Sequence, residues 1–412
     1  MKSEPSYLPK LSQYQLQATP NAYRPLEEIF QCHVWNLDTI TLPMLNGWYM
    51  HDNQPLTHLD NGVIYGSLRA AAKQHPDIVQ QCHNAFSKTE KDELTILNES
   101  QYTDGIFLYV PDGVKVASPF QIISIVNTQD NLLVQNRHVI FLGKGAEMSL
   151  IQCDDSVRYG NTFLNIVTEV FMSEQSQMHY YKTENKEPES QLFNHLFVHQ
   201  QGHTHFHSNT VTFNAGYIRN NIVVNLSEPF ADAELYGLYL VDKSQRCDNF
   251  LKVHHIATDC TSKQLYKGIM DDEAVAGFHG HVVVHPDAQR TAAFQTNRNI
   301  LLTDKAKVNT TPFLEIYADD VQCSHGATVG QLDDEALFYL RSRGISERNA
   351  RKLLMFAFAN DIVNYVEISA LQERLGDMVQ RRLNGELTIC DQCMLSDADH
   401  RDFVFPIDPS KI

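Results

Sequence analysis

No stretch of this 412-residue chain approaches the roughly 20 consecutive apolar residues that a membrane-crossing helix needs. The first residues, Met1-Lys-Ser-Glu-Pro-Ser-Tyr7, lack the apolar core of a secretory leader, so the expected compartment is the cytoplasm. Basic residues are scarce: 33 Lys and Arg face 50 Asp and Glu, for a formal charge of −17. Nucleic acid demands a concentrated basic footprint and anionic membrane demands a basic face, so neither is an expected partner. The phosphate-cradling patterns G-x-x-x-x-G-K-[ST] and G-x-G-x-x-G are missing, so any ATP dependence must come from another protein. The G-x-S-x-G elbow and H-E-x-x-H are missing too, which removes two familiar hydrolase signatures. Cysteines stand only at 32, 82, 153, 247, 260, 323, 390 and 393. That scatter implies no disulfide framework, and in a reducing compartment most would be small buried hydrophobes.

What is present falls into four stretches. The chain exceeds one typical core, and 43% apolar residues can supply two or three units. Residues 1–95 read as a mixed, largely helical cap domain. In it Ser67 caps one helix and Pro76 ends it, and a second piece runs from Asp77 to Phe86. Residues 96–332 carry recurrent strand-like segments of three to seven residues, such as Ile106–Val110, Gln121–Val126, His138–Leu142, Asn221–Leu226 and Glu234–Leu240. Their links are too short for crossover helices, so an all-β body follows. Pattern alone leaves an antiparallel sandwich or a coiled solenoid, because no strict repeat is visible. Residues 333–385 turn helical: Asp333–Arg343 stopped by Gly344, a second helix capped by Ser346, and a third from Ser369 to about Leu383, ended by Asn384-Gly385. Residues 386–412 form an irregular tail with little periodicity.

The most informative run is Tyr317-Ala-Asp-Asp-Val-Gln-Cys-Ser-His-Gly-Ala-Thr-Val-Gly-Gln-Leu-Asp333. In extended backbone Cys323 and His325 share a face, placing a soft sulfur donor beside an imidazole, a pair suited to iron or zinc. Gly326 is expected to let the chain turn directly afterwards. Asp319, Asp320, Asp333 and Asp334 flank the pair. Two ligand-type side chains make only half of a tetrahedral site.

This run, with His285-Pro-Asp-Ala-Gln-Arg290, Gln295-Thr-Asn-Arg-Asn-Ile-Leu-Leu-Thr303, Asn309-Thr-Thr-Pro-Phe-Leu-Glu-Ile316 and Arg343-Gly-Ile-Ser346, resembles the SufB/SufD family of the SUF iron–sulfur cluster assembly machinery. Glycine after His325, where SufB would carry an acid, points to the SufD branch. The likeness is dense from about Tyr236 to Val366. It implies a mainly β chain with a right-handed parallel β-helix body and small helical domains at either end. Those helices would also supply the covered ends that a solenoid needs. It further implies a non-catalytic scaffold subunit that pairs with SufB, with Cys323 and His325 at that interface. The metal there would be a transient iron–sulfur cluster of the complex, with no cofactor in the isolated chain. The ABC-type ATPase SufC would dock on the C-terminal helices, where Leu337, Leu340, Arg348, Arg351, Lys352 and Phe356 are the candidate contacts. Alone, the chain could pair with a second copy of itself. A reading from a different class is a β-helix carbohydrate lyase or glycosidase acting through paired carboxylates.

Three other clusters carry metal-type residues. His195, His199, His203, His205 and His207 form a histidine-rich tract, and His203, His205 and His207 are expected on one strand face. No carboxylate lies close in sequence to orient them, so a solvated rung face is expected rather than a site. His279, His281 and His285 alternate similarly, and His285 is expected to be structural, hydrogen-bonded in a turn. Cys390-Asp-Gln-Cys393, with His400, could form a half-knuckle or a reactive dithiol.

Overall fold

A computed structural model describes residues 11–21, 23, 37–86, 92–158, 161–186, 188–214 and 216–385. From Phe120 onward each strand pairs in parallel with the strand after next. Thr162–Met172 adjoins Gln191–Gln200, which adjoins Tyr217–Leu226. The intervening Gln177–Asn185, His205–Asn214 and Asp232–Val241 build a second sheet in the same way. The result is a β-solenoid of about seven turns. Phe163 lies beside Gln191, Gln191 beside Tyr217, and Val275 beside Lys307, so a turn takes 28, 26 or 32 residues. That drift explains why no fixed repeat is visible in the sequence.

The corners are built from left-handed backbone. Gln175, His203, Phe230, Asp259 and Arg290 all have φ between 56° and 63°. Backbone hydrogen bonds run from each corner to the next, as from Gln175 to Gly202 and from His203 to Pro229, so the ladder continues around the bend. The His285–Arg290 motif is one such corner. There the Arg290 guanidinium grips Asp259 through two bonds of 2.6 Å, and Ala288 N–H donates to the His285 carbonyl. His285 Nε2 lies 3.3 Å from His254 Nδ1 of the preceding solenoid turn, so its imidazole bonds between turns rather than within its own corner, the bond expected from the sequence.

The strands are longer than their sequence suggests. Leu132–Leu142 and Thr162–Met172 are eleven residues each and buried throughout. One face of each strand fills the interior and the other lies under helices, so apolar–polar alternation disappears. Polar residues such as Gln135, Asn136, Asn165 and Thr168 are buried in these strands, which hid half of each from a hydrophobicity pattern.

The helical regions lie on the flat faces of the solenoid rather than over its final turn. Helices α1 (Leu68–Gln74), α2 (Pro76–Ala85) and α3 (Glu93–Gln101) cover one sheet. Leu68, Ala71 and Cys82 pack there against Phe107, Val139, Phe141 and Phe171. Helices α4 (Asp334–Ser342), α5 (Glu347–Val363) and α6 (Ser369–Asn384) lie on the other side. Ala359, Ile362, Val363, Leu371, Leu375 and Val379 meet Tyr181, Val211, Phe213, Tyr236 and Leu238 of the second sheet. The caps fall where composition placed them: Ser67 accepts from Ala70 N–H, Ser346 from Asn349 N–H, and Gly385 closes α6 at φ 79°. The N-terminal region is less helical than expected. Ile40–Leu45 adds to the second sheet beside Phe120–Asn127, and Ile64–Ser67 joins the first beside Ile106–Val110. No helix among the described residues is long and apolar enough to cross a membrane.

Candidate functional site: the open end of the solenoid

The last strand of each sheet has a neighbour on one side only. Val321–Gly330 pairs with Thr291–Leu301, and Lys307–Ile316 pairs with Val275–Val284. Nothing among the described residues covers the far side of either strand, and most of Val321–Gly330 is exposed. A flat, unpaired edge ten residues long is a ready template for another chain, and isolated proteins normally blunt such edges. Apolar side chains are exposed on the strands at this end: Phe313 is 50% exposed, Tyr317 61%, Val329 47% and Phe294 45%.

Cys323 and His325 sit on this edge strand. Their ladder partners are Ala293 and Gln295, both buried and facing the solenoid interior. The two side chains therefore point toward the interior at its open mouth. Cys323 is half-buried against Val282, Val284, Ala288 and Ala293, whereas His325 is exposed. Burial pushes the Cys323 thiol up, partly offset by a backbone hydrogen bond from Ala293, so the sulfur rests as a thiol in the isolated chain. Gly326 does not turn the chain. The strand runs on through it to Gly330, and a Cβ at either glycine would meet no other atom of the chain. Strand glycines with open space beside them suit close approach of another backbone.

The flanking acids do not complete a metal site. Asp333 Oδ1 is engaged as the α4 cap, accepting from Glu335 and Ala336 N–H at 2.9 and 3.1 Å. Asp319, Asp320 and Asp334 are exposed. The three-donor groups found among the described residues lie elsewhere. One thiol and one imidazole supply two of the four donors that a tetrahedral metal takes.

The helical candidates separate by face. Leu337 is buried and Phe356 packs against the sheet-facing core, so both point inward. Leu340, Arg351 and Lys352 are half-exposed, with Lys352 Nζ bound to Asn384 Oδ1 at 2.7 Å, and Arg348 is exposed. The outer surface carries apolar side chains that pattern reading passed over: Phe338 is 74% exposed, Tyr339 56% and Leu353 49%.

The histidine tract also differs from its expected form. His203 sits in a corner, stacked on Phe230 at 4.8 Å, while His205 and His207 alone share the outward strand face. His207 is buried rather than solvated, and carboxylates do face these rings: Asp232 and Glu234 from the next turn, and Glu367 from the α5–α6 connection. Cys390, Cys393 and His400 lie outside the described residues.

Comparison with known proteins places the chain in a family. Residues 124–358 match the family description "SUF system FeS cluster assembly, SufBD core domain", and residues 7–122 match "SufBD protein N-terminal region". An iron–sulfur cluster assembly SufBD family protein of Synechocystis is 30% identical over 83% of this chain and 77% of its own length. The iron–sulfur cluster assembly protein SufD of Escherichia coli is 31% identical over 70% of this chain and 69% of its own. SufD of Bacillus subtilis is 25% identical over 81% and 79%. The chain is a member of the SufBD family of the SUF system for iron–sulfur cluster assembly.

Proposed function

We propose that this chain is a non-catalytic scaffold subunit that lends half of a cluster-building site to a neighbour. Its open edge pairs with a SufB-like chain, and Cys323 and His325 meet that chain's ligands across the seam. The observation that carries the reading is the exposed edge strand Val321–Gly330, with its thiol and imidazole facing the open mouth of the solenoid. An iron–sulfur cluster is then cargo held between two chains. Phe338, Tyr339 and Leu353, with Arg348 and Arg351 beside them, form the surface on which an ABC-type ATPase docks. The sequence holds no nucleotide-binding pattern of its own. Where no SufB-like chain is present, a second copy occupies the same edge and gives a homodimer.

Co-expression with SufB-like and ATPase chains, followed by iron and sulfide analysis of the purified complex, tests this. Cys323→Ser and His325→Ala should leave the isolated chain's melting midpoint and the composition of the complex unchanged, yet lower cluster content several-fold. Full cluster content in both variants would overturn the reading. No observation favours polysaccharide cleavage.

A further inference from the structure

The outward face of the second sheet carries a group of ligating side chains far from the open edge. Ladder register places His179 beside His207, and His207 beside Glu234, on three successive turns. Their rings are close, with the centroids of His179 and His207 5.5 Å apart. From above, the connection between α5 and α6 lowers Glu367 onto this column. The Tyr181 hydroxyl accepts from Glu367 N–H at 3.3 Å, and Glu367 Oε2 stands 3.6 Å from His179 Nδ1.

His207 is the informative member. Its side chain is 2% exposed, and neither ring nitrogen completes a hydrogen bond, although Glu234 Oε2 lies 3.4 Å from Nδ1. Burying an imidazole without partners is costly, and a bound ion is one arrangement that would offset the cost. The donor atoms of His179, His207 and Glu367 all lie within 4.8 Å of one another. The same holds for His205, His207 and Glu234. His205, however, is already engaged by Asp232, with Nδ1 2.6 Å from Oδ1. In the first set His179 Nδ1 is held more loosely, 3.5 Å from the Tyr181 hydroxyl and 3.6 Å from Glu367 Oε2, and only this set brings in the helical connection.

We propose that His179, His207 and Glu367 bind one divalent transition-metal ion of the zinc type. Two imidazoles and a carboxylate match zinc's ligand preferences and leave its fourth position for water. The three ligands come from two turns of the solenoid and from the helical pair. The ion therefore ties the α5–α6 connection to the solenoid wall, and its binding energy stabilises the docked arrangement of those helices.

The experiment is a zinc titration of the full chain against a chromophoric chelator. The parent carries Cys323→Ser, Cys390→Ser and Cys393→Ser, so that the edge and tail thiols do not compete. One equivalent should bind and raise the melting midpoint. His179→Asn should weaken binding by at least about tenfold, as should Glu367→Gln, whose exposed side chain is not needed for folding. Zinc should then no longer raise the midpoint of either variant. His205→Asn should leave the affinity unchanged. The proposal fails if the parent binds no zinc, if His179→Asn and Glu367→Gln bind like the parent, or if His205→Asn alone abolishes binding.

Discussion

Lys182 Nζ lies 3.0 Å from Asp154 Oδ2 inside the solenoid, where their side chains are 5% and 0% exposed. Lys182 also donates to Asn194 Oδ1 at 2.9 Å, and Asn194 donates to Glu184 Oε1 at 2.7 Å. Burial alone would raise the Asp154 carboxyl pKa, but Lys182 and Lys186 pull it below its ordinary value. Burial works against the Lys182 ammonium as well, and the Asp154 carboxylate outweighs it. Asp154→Asn leaves a buried ammonium without its counter-charge, which should cost about 3–5 kcal/mol. Asp154→Leu combined with Lys182→Met removes both charges and should cost less than either single change. Urea midpoints of the three variants measure this, and a double variant worse than the Asp154→Asn single would contradict it.

Acid should weaken the fold well above the carboxylate range. Burial holds His255 down to about 4, with His254 and His285 adding to the effect. Burial likewise holds His138 down to about 3, and its Nδ1 accepts from Ile106 N–H. In the unfolded chain both titrate near 6.5. Below that pH the unfolded state takes up protons that the folded state refuses, so stability is full above about 6.5 and falls as pH drops toward the folded values. By pH 5 each residue should have removed about 2 kcal/mol. Urea midpoints at pH 7 and pH 5 should show the loss, and His255→Gln should reduce it. An unchanged pH slope in that variant would contradict the assignment.

Two glycines make room for tyrosines within the solenoid. Gly237 is the ladder partner of Tyr266, and Gly268 is the ladder partner of Tyr239. A Cβ at either glycine would overlap the facing ring. Both rings are buried, and Tyr239 is further held by a hydrogen bond to Asn299 Oδ1 at 2.5 Å, so neither can step aside cheaply. Gly268→Ala should therefore destabilise by about 1–3 kcal/mol through overpacking. An unchanged urea midpoint would show that the ring has somewhere else to go.

Charge on the open edge should separate assembly from folding. Phe313 and Val329 are about half exposed, and no strand among the described residues pairs with theirs across the edge. Phe313→Glu with Val329→Asp should change the isolated chain's stability by no more than about 0.5 kcal/mol per site. The same pair should abolish pairing, with itself or with a SufB-like chain, in sedimentation velocity. Retained pairing would place the interface on another surface.

The helices and their limits were legible from local chemistry. Ser67, Asp333 and Ser346 each cap a backbone N–H two or three residues on, and Gly344 and Gly385 take the positive φ that stops a helix. Those interactions close within a few residues, so a single sequence contains them whole. The same holds for Cys323 and His325: residues two apart on an extended strand share a face wherever that strand goes. Strand length was not legible. Where both faces of a strand are buried, Asn165 and Gln135 count as interior residues just as Leu164 does. Nor was the histidine tract, whose carboxylates arrive from a neighbouring turn and from a helix connection 160 positions beyond His207.

Sequence by itself determined the helix caps, the family and the thiol–imidazole pair, because each depends on residues near one another along the chain. Tertiary structure alone decided that Val321–Gly330 is the last strand, that the helices cover faces and leave an end open, and that Glu367 stands over His179. Those relations come from stacking turns of 26 to 32 residues whose lengths differ. Small differences in corner length accumulate, and only the assembled ladder sets which side chains finally meet.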